Sequence, residues 1–360
     1  MQKNVLHLLG SVTRGGAEFL ILDLARLTNQ LNDGHYHFAF YGSGALEQSF
    51  LEFQNCEKIE SRHKIQMISG LRSLIRRQNI QIIHCHSSMH VIYARLASIG
   101  YDVKIVYTVH GFGKSIRSKF LNKMAVRFSE KVLFVSGSVK KRLSKIISKR
   151  FQNKCMVMYN GINTHKINFT KRDRNKSDKM NLGMVGNFHT SVRDQFTLCE
   201  TALILKKKKI PFELYFVGGA AGNETERLER CKAFVNKNSL DSQVHFLGFK
   251  DNVPEYLHKW DVFVYSSNHD TFGIAVVEAI MSGIPVLVND LDVFTEITEN
   301  GRLATLFKTK DPEDAAEKIV DFYQNPQPYF EKAEKGAKLA REKYSIERHY
   351  QNLNQLYSSL

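Results

Sequence analysis

The chain has no run of about 18 or more consecutive apolar residues, so no segment reads as a membrane-spanning helix. It has no internal repeat and no low-complexity tract, which sets aside solenoid and disordered classes. Cysteine is sparse: Cys56, Cys85, Cys155, Cys199 and Cys231 are an odd, scattered set with no C-x-x-C. That excludes a disulfide framework or a thiolate zinc site and reads as reduced, mostly buried thiols. The opening MQKNVLHLLG has only a short apolar run, and Arg14, Gly15 and Gly16 stand where a small-residue cleavage site is expected. The expectation is a cytoplasmic chain. The formal net charge is +15, yet no recognised nucleic-acid motif and no aromatic platform accompany the basic residues. Nucleic acid is therefore not the expected partner.

What is present suggests two domains. The chain has 360 residues, and domains average roughly 150. An apolar fraction of 43% is enough for two cores. Short apolar, β-branched runs alternate with helical patterns such as Glu18–Leu31, Met89–Ile99 and Ser115–Ser129. The runs are Val5–Leu9, His37–Tyr41, Ile80–His84, Lys104–His110, Val132–Ser136 and Met156–Asn160, then Leu182–Gly186, Glu213–Val217, Val244–Leu247, Val262–Tyr265 and Pro285–Asn289. This rhythm predicts parallel, doubly wound sheets. The polar stretch 161–179 interrupts it and reads as a linker. Helices are expected to start near Gln195, Glu224, Pro254 and Gly273, with two or three more across 311–358. The expected fold is α/β: two Rossmann-like domains facing across a cleft. The expected boundaries are 1–165, 166–340 and a C-terminal helix, 341–360, crossing back to the first domain.

Ligands of such sheets bind outside the carboxyl ends of the strands. After the first strand, Ser11-Val12-Thr13-Arg14-Gly15-Gly16 opens a helix. Paired glycines there let backbone approach a phosphate, although an ordinary glycine turn reads the same way. His110, next to Gly111 at a strand end, can donate to a substrate hydroxyl or move a proton; a packed loop histidine is the plain alternative. His84 and His86 point the same way along a strand but lack a nearby third ligand, so no metal site is read there. In the second half, Asp270 and Glu278 bracket a loop-to-helix turn. Amides from Thr271 through Phe272 and Gly273 to Ile274 suit a phosphate or sugar oxygen, and Glu278 suits a ribose diol. The alternative is a dipole-favoured acid and a solvated Glu. Asn187 ends a strand, and Arg193 offers a planar fork suited to a diphosphate.

Taken in order, GGAE at 15–18, H-x-H at 84–86, TVHG at 108–111, VS at 135–136, YNGIN at 159–163, GMVGN at 183–187, FLG at 246–248 and D-x7-E at 270–278 resemble the retaining glycosyltransferases of the family 4 type (glycosyl transferases group 1), which have the GT-B architecture. The resemblance implies a transfer of sugar from a nucleotide-sugar donor, most often a UDP-sugar, to a glycan or lipid-linked acceptor in surface polysaccharide or glycoconjugate synthesis. It implies no cofactor and no metal. Gly16 would offer an amide to the donor phosphate, His110 would contact the transferred sugar, and Arg193 would hold the diphosphate. Asp270 would bind the sugar, Phe272 and Gly273 would present backbone to sugar and phosphate, Glu278 would bind the ribose, and Gly248 and Phe249 would lie near the base. The chain departs from the family pattern at Asp270, where Glu is usual, at Asn187, where Arg is usual, and at Asn163 in the hinge.

Residues 1–180 carry 30 Lys and Arg against 11 Asp and Glu, whereas residues 181–360 carry 21 against 25. The stretch 111–154 alone holds 13 basic residues and one acid, Glu130. Ile116, Phe120, Leu121, Met124 and Phe128 can share a helix face flanked by Lys114, Arg117, Lys119, Lys123 and Arg127. That pattern fits an anionic membrane surface, giving the expectation of a peripheral protein on the inner face of the cell membrane; a solvated basic helix is the alternative. Asp290-Leu291-Asp292 is formally the D-x-D of a metal-dependent GT-A enzyme, but its late position in the second half fits that layout poorly. An inactive GT-B scaffold would keep the same strand rhythm, and a GT-B nucleotide-sugar epimerase fits the motif set less well than a transferase does.

Overall fold

The computed structural model describes residues 2–60, 63–111, 115–144, 147–171, 179–188, 192–220, 225–250 and 252–360. The chain divides into two compact units, residues 1–163 with 344–360, and residues 164–343.

The first unit holds a seven-stranded sheet. Its strands are β1 (Val5–Ser11), β2 (Tyr36–Gly42), β3 (Cys56–Lys58), β4 (Ile82–Cys85), β5 (Lys104–Val109), β6 (Lys131–Phe134) and β7 (Cys155–Val157). Their spatial order is β3-β2-β1-β4-β5-β6-β7, and every pairing is parallel. The order reverses between β1 and β4, the place where such sheets leave a crevice at the strand ends. The short strand β3 escapes sequence patterning because three residues give no readable alternation.

The closing helix Ile346–Ser358 belongs to this unit. Ser345 starts it by accepting from the Arg348 N–H at 3.2 Å. Ile346, Leu353, Leu356 and Tyr357 are buried in the same core cluster as Leu20, Leu24 and Tyr36. Each such side chain contributes roughly 1.5–3 kcal/mol of burial. Ile162 pairs with Ser345, and the Asn163 amide donates to Asp23. The beginning of the expected linker is therefore packed structure; positions 172–178 lie outside the described residues.

The second unit repeats the plan with β8 (Met180–Val185), β9 (Phe212–Val217), β10 (Val244–Phe246), β11 (Val262–Tyr265), β12 (Val286–Asn289) and β13 (Thr305–Phe307). The order is β10-β9-β8-β11-β12-β13, again all parallel. β11 and β12 are buried throughout, as expected of strands covered on both faces. Helices follow at Gln195–Lys207, Glu226–Lys237, Val253–Lys259 and Ile274–Ser282; Glu224, the expected start of the second, lies outside the described residues. The C-terminal stretch forms three helices, Pro312–Gln324, Gln327–Tyr344 and Ile346–Ser358.

Candidate functional site

In the second unit the strand ends meet at β8 and β11. The segment after β8 returns along β11 through an antiparallel bridge, Arg193 to Ser267. Gly186 lies against the Arg193 side chain, and Gly218 packs on Gly186. A side chain at Gly218 would come 2.2 Å from the Gly186 carbonyl oxygen, and its φ is +139°, so only glycine fits. Gly248 accepts from the Gly218 N–H at 2.8 Å. Phe249 is exposed, and its ring lies against Gly219. Asn187 is half-buried, and its backbone carbonyl is held by the Gln195 amide at 3.2 Å.

Asp270 organises this end. Its Oδ1 accepts from the Thr271 N–H at 2.8 Å and the Phe272 N–H at 3.3 Å. Its Oδ2 accepts from Arg193 Nη1 at 2.8 Å and the Tyr265 hydroxyl at 3.4 Å. Four donors match the acceptor capacity of a carboxylate. The Thr271 and Phe272 amides are thus committed to Asp270, and the amides left at the helix opening begin at Gly273. Gly273 caps that helix at φ +84°, where an added Cβ would meet the Phe294 ring at 2.7 Å. Phe272 is buried in the core, so it offers only backbone to the site. Ile274, Ala275 and Glu278 lie on the half-buried face of the helix, while Val276, Val277, Ala279 and Ile280 fill the core.

Arg193 is held from two sides. It pairs with Asp270, and its guanidinium lies 5.4 Å from the centre of the Tyr265 ring. Burial works against its charge, but Tyr265 and Asp270 outweigh this and raise its pKa. Sequence reasoning missed the support beneath. Buried Asn289 accepts from the Ser267 N–H and donates to the Ser267 carbonyl, both at 2.9 Å. Asp290 accepts from the Thr309 N–H and hydroxyl at 2.8 and 2.7 Å, and Asp292 opens a short helix. Of the D-x-D pair, Asp290 thus holds Thr309, and Asp292 is the exposed first residue of its helix.

In the first unit Gly15 caps the helix Gly16–Gln30 in an extended conformation. The Glu18 carboxylate folds back over Gly15 and accepts from its own N–H; burial raises its pKa.

His110 follows β5 and is half-buried. It does not stand alone. Parallel register sets His7 of β1 opposite His84 of β4, which brings His7 to the H-x-H pair. The fold thereby supplies the third histidine that sequence spacing did not show. His7, His84 and His86 offer ring nitrogens all within 4.8 Å of one another, a group that could hold a metal ion. Those nitrogens are already hydrogen-bonded. His84 Nδ1 meets the Tyr357 hydroxyl at 2.5 Å and His84 Nε2 the Thr108 hydroxyl at 2.6 Å. His7 Nδ1 meets His86 Nε2 at 3.1 Å, and His86 Nδ1 meets His110 Nε2 at 3.0 Å. Burial and repulsion from neighbouring histidines hold His7, His84 and His86 well below the ordinary imidazole range. Burial, then His349, holds His110 down to about 4.

The basic helix Ile116–Phe128 buries Asn122, Ala125 and Val126, and the Tyr107 hydroxyl donates to Asn122 at 2.8 Å. Its apolar positions therefore divide: Leu121, Met124 and Phe128 are half-buried, and Phe120 is exposed. Phe112 and Lys114 lie outside the described residues. Among the described residues no helix is long and apolar enough to cross a membrane.

Comparison with known proteins places this architecture. Residues 14–166 match the family described as Glycosyltransferase Family 4, and residues 166–343 match Glycosyl transferases group 1. An uncharacterized glycosyltransferase of Methanocaldococcus jannaschii is 25% identical, covering 95% of this chain and 94% of its own. The capsular polysaccharide biosynthesis glycosyltransferase CapH of Staphylococcus aureus is 24% identical, covering 82% and 83%. The crystal structure of Anabaena HepE in complex with UDP has a TM-score of 0.86 at 18% identity, covering 99% of this chain and 100% of that one. Two all-parallel α/β units, motifs in family order and matches running from residue 14 to residue 343 make this chain a GT-B glycosyltransferase of the family 4 type.

Proposed function

We propose that the protein is a retaining, metal-independent glycosyltransferase that uses a UDP-sugar. The observation that carries this reading is the arrangement at the carboxyl end of β11. Arg193 is held by Asp270 beside a glycine-capped helix opening, with Glu278 one turn further on. Arginine and helix-start amides answer the two charges of a diphosphate. Glu278 can accept from a ribose diol, and exposed Phe249 offers a face to the base. The UDP bound in HepE supports UDP as the nucleotide.

In this reading the bond between the anomeric carbon and the diphosphate oxygen breaks, and the acceptor hydroxyl oxygen bonds that carbon on the same face. The hydroxyl proton passes to the departing diphosphate. The enzyme's main task is then to stabilise negative charge growing on the leaving group. Arg193 and the amides from Gly273 onward serve it, so Asn187 need not supply the charge that an arginine gives other family members. His110 is assigned to the transferred sugar, and Gly15 and Gly16 to the donor phosphate. The capsular role of CapH supports an acceptor in polysaccharide synthesis, and a lipid-linked acceptor would place the basic helix at an anionic membrane.

A thermal-shift panel of nucleotides and nucleotide sugars, without and then with divalent metal, tests the site, because a ligand of the folded state raises apparent stability. The expected result is a metal-independent shift with UDP that is lost in Glu278→Ala. No shift with any nucleotide would sink the reading, and a shift that needs Mn²⁺ would overturn its metal-independent part.

A further inference from the structure

The histidines of the first unit form more than a packed cluster. Their contacts run in one line, from Thr108 through His84, Tyr357, His7 and His86 to His110. Every ring nitrogen inside that line has a partner. At its end, His110 uses Nε2 toward His86, and Nδ1 makes no hydrogen bond among the described residues.

Burial and mutual repulsion keep the rings neutral at pH 7. A neutral imidazole carries one N–H and one bare nitrogen. Each ring that donates at one nitrogen must accept at the other, so the tautomers interlock. With the buried Tyr357 O–H required to donate within the line, two consistent states remain, one the reverse of the other.

Tyr357 distinguishes them. Its hydroxyl lies 2.5 Å from His84 Nδ1 and 3.3 Å from His7 Nε2. The contact of His84 Nε2 with the Thr108 hydroxyl is nearly as short, 2.6 Å, so the two sides of His84 do not separate the states by length; the long contact to His7 does, because an accepted N–H is longer than a donated O–H. The phenol is also a better donor than the Thr108 alcohol, which competes for the other side of His84. Tyr357 therefore donates to His84, and His84 Nε2–H donates to Thr108. On the other side His7 Nε2–H donates to Tyr357, His86 Nε2–H to His7, and His110 Nε2–H to His86.

We propose that Tyr357 fixes the polarity of this chain and thereby the tautomer of His110, whose Nδ1 is left bare as a hydrogen-bond acceptor. Tyr357 and His84 are then positioning residues for His110. They act through bonds supplied by the C-terminal helix, far away in sequence. The consequence for turnover rests on the assignment of His110 to the sugar, whereas the tautomer itself does not.

The test uses the full chain with ¹⁵N-labelled histidine. Long-range ¹H–¹⁵N correlation spectra report which nitrogen of each ring is protonated, with His110→Gln identifying the His110 signals. Wild-type protein should show His110 protonated at Nε2. Tyr357→Phe removes the linking hydroxyl but keeps the ring, and should convert His110 to a mixture of tautomers. It should also lower kcat roughly tenfold while leaving the donor KM within about twofold. A folded Tyr357→Phe protein with an unchanged His110 signal would overturn the proposal, as would wild-type His110 protonated at Nδ1. A changed tautomer without any change in kcat would support the chain and overturn the sugar assignment of His110. If Tyr357→Phe does not fold, Thr108→Val removes the far end and should move the His110 signal in the same direction by less.

Discussion

Replacing Asp270 separates two jobs that one carboxylate performs. Asp270→Asn keeps an oxygen for the Thr271 and Phe272 amides but turns an NH2 toward Arg193 and the Tyr265 hydroxyl, setting donor against donor. The lost charge-assisted bond is worth about 1.5–3 kcal/mol when desolvated. The Arg193 side chain is 26% exposed, so water recovers part of that, leaving roughly 1–2 kcal/mol. Asp270→Ala also loses both amide bonds, adding about 1–3 kcal/mol at roughly 0.5–1.5 each. Urea midpoints should therefore fall in the order wild type, Asn, Ala, with unchanged slopes. The UDP-induced thermal shift should shrink in both variants, because Arg193 loses the partner that aims it. Equal midpoints for Asn and Ala would show that the Oδ1 bonds do not hold the loop. A full UDP shift in either variant would refute the claim that Asp270 positions Arg193 for the diphosphate.

Two further outcomes follow from the first unit. His90 and His349 are buried, and burial lowers both to about 4 in the folded state from an ordinary 6.5. The unfolded chain binds protons first, so stability is complete above pH 6.5 and is lost as pH falls toward about 4. Each residue then costs about 3 kcal/mol, against a total stability of about 5–15 kcal/mol. A urea midpoint that stays level from pH 7 to pH 4.5 would contradict this. The basic helix Ile116–Phe128, with Phe120 exposed, should carry the protein into liposomes containing anionic lipid but not into neutral ones; absence from both in a flotation assay would remove the membrane role.

The sequence determined the class of fold by itself. Strands such as Val262–Tyr265 are apolar at every position because both faces are covered, and that run is local information. Short edge strands Cys56–Lys58 and Thr305–Phe307 left no such trace. The sequence also singled out His110, Asp270 and Glu278 as candidates, since His110 and Asp270 follow strands and Glu278 lies one turn into the helix that Asp270 precedes. It could not reveal that Asp270 and Arg193 are partners, because they lie on different βα connections that meet only when β8 pairs with β11. His7 gave a faint signal as the one polar residue in Val5–Leu9, yet its neighbours were hidden. Strand order decides that β1 lies beside β4, and only the returning helix brings Tyr357 between His7 and His84. Periodicity records which side chains are covered; hydrogen bonds between residues hundreds of positions apart are decided by the tertiary structure that closes them.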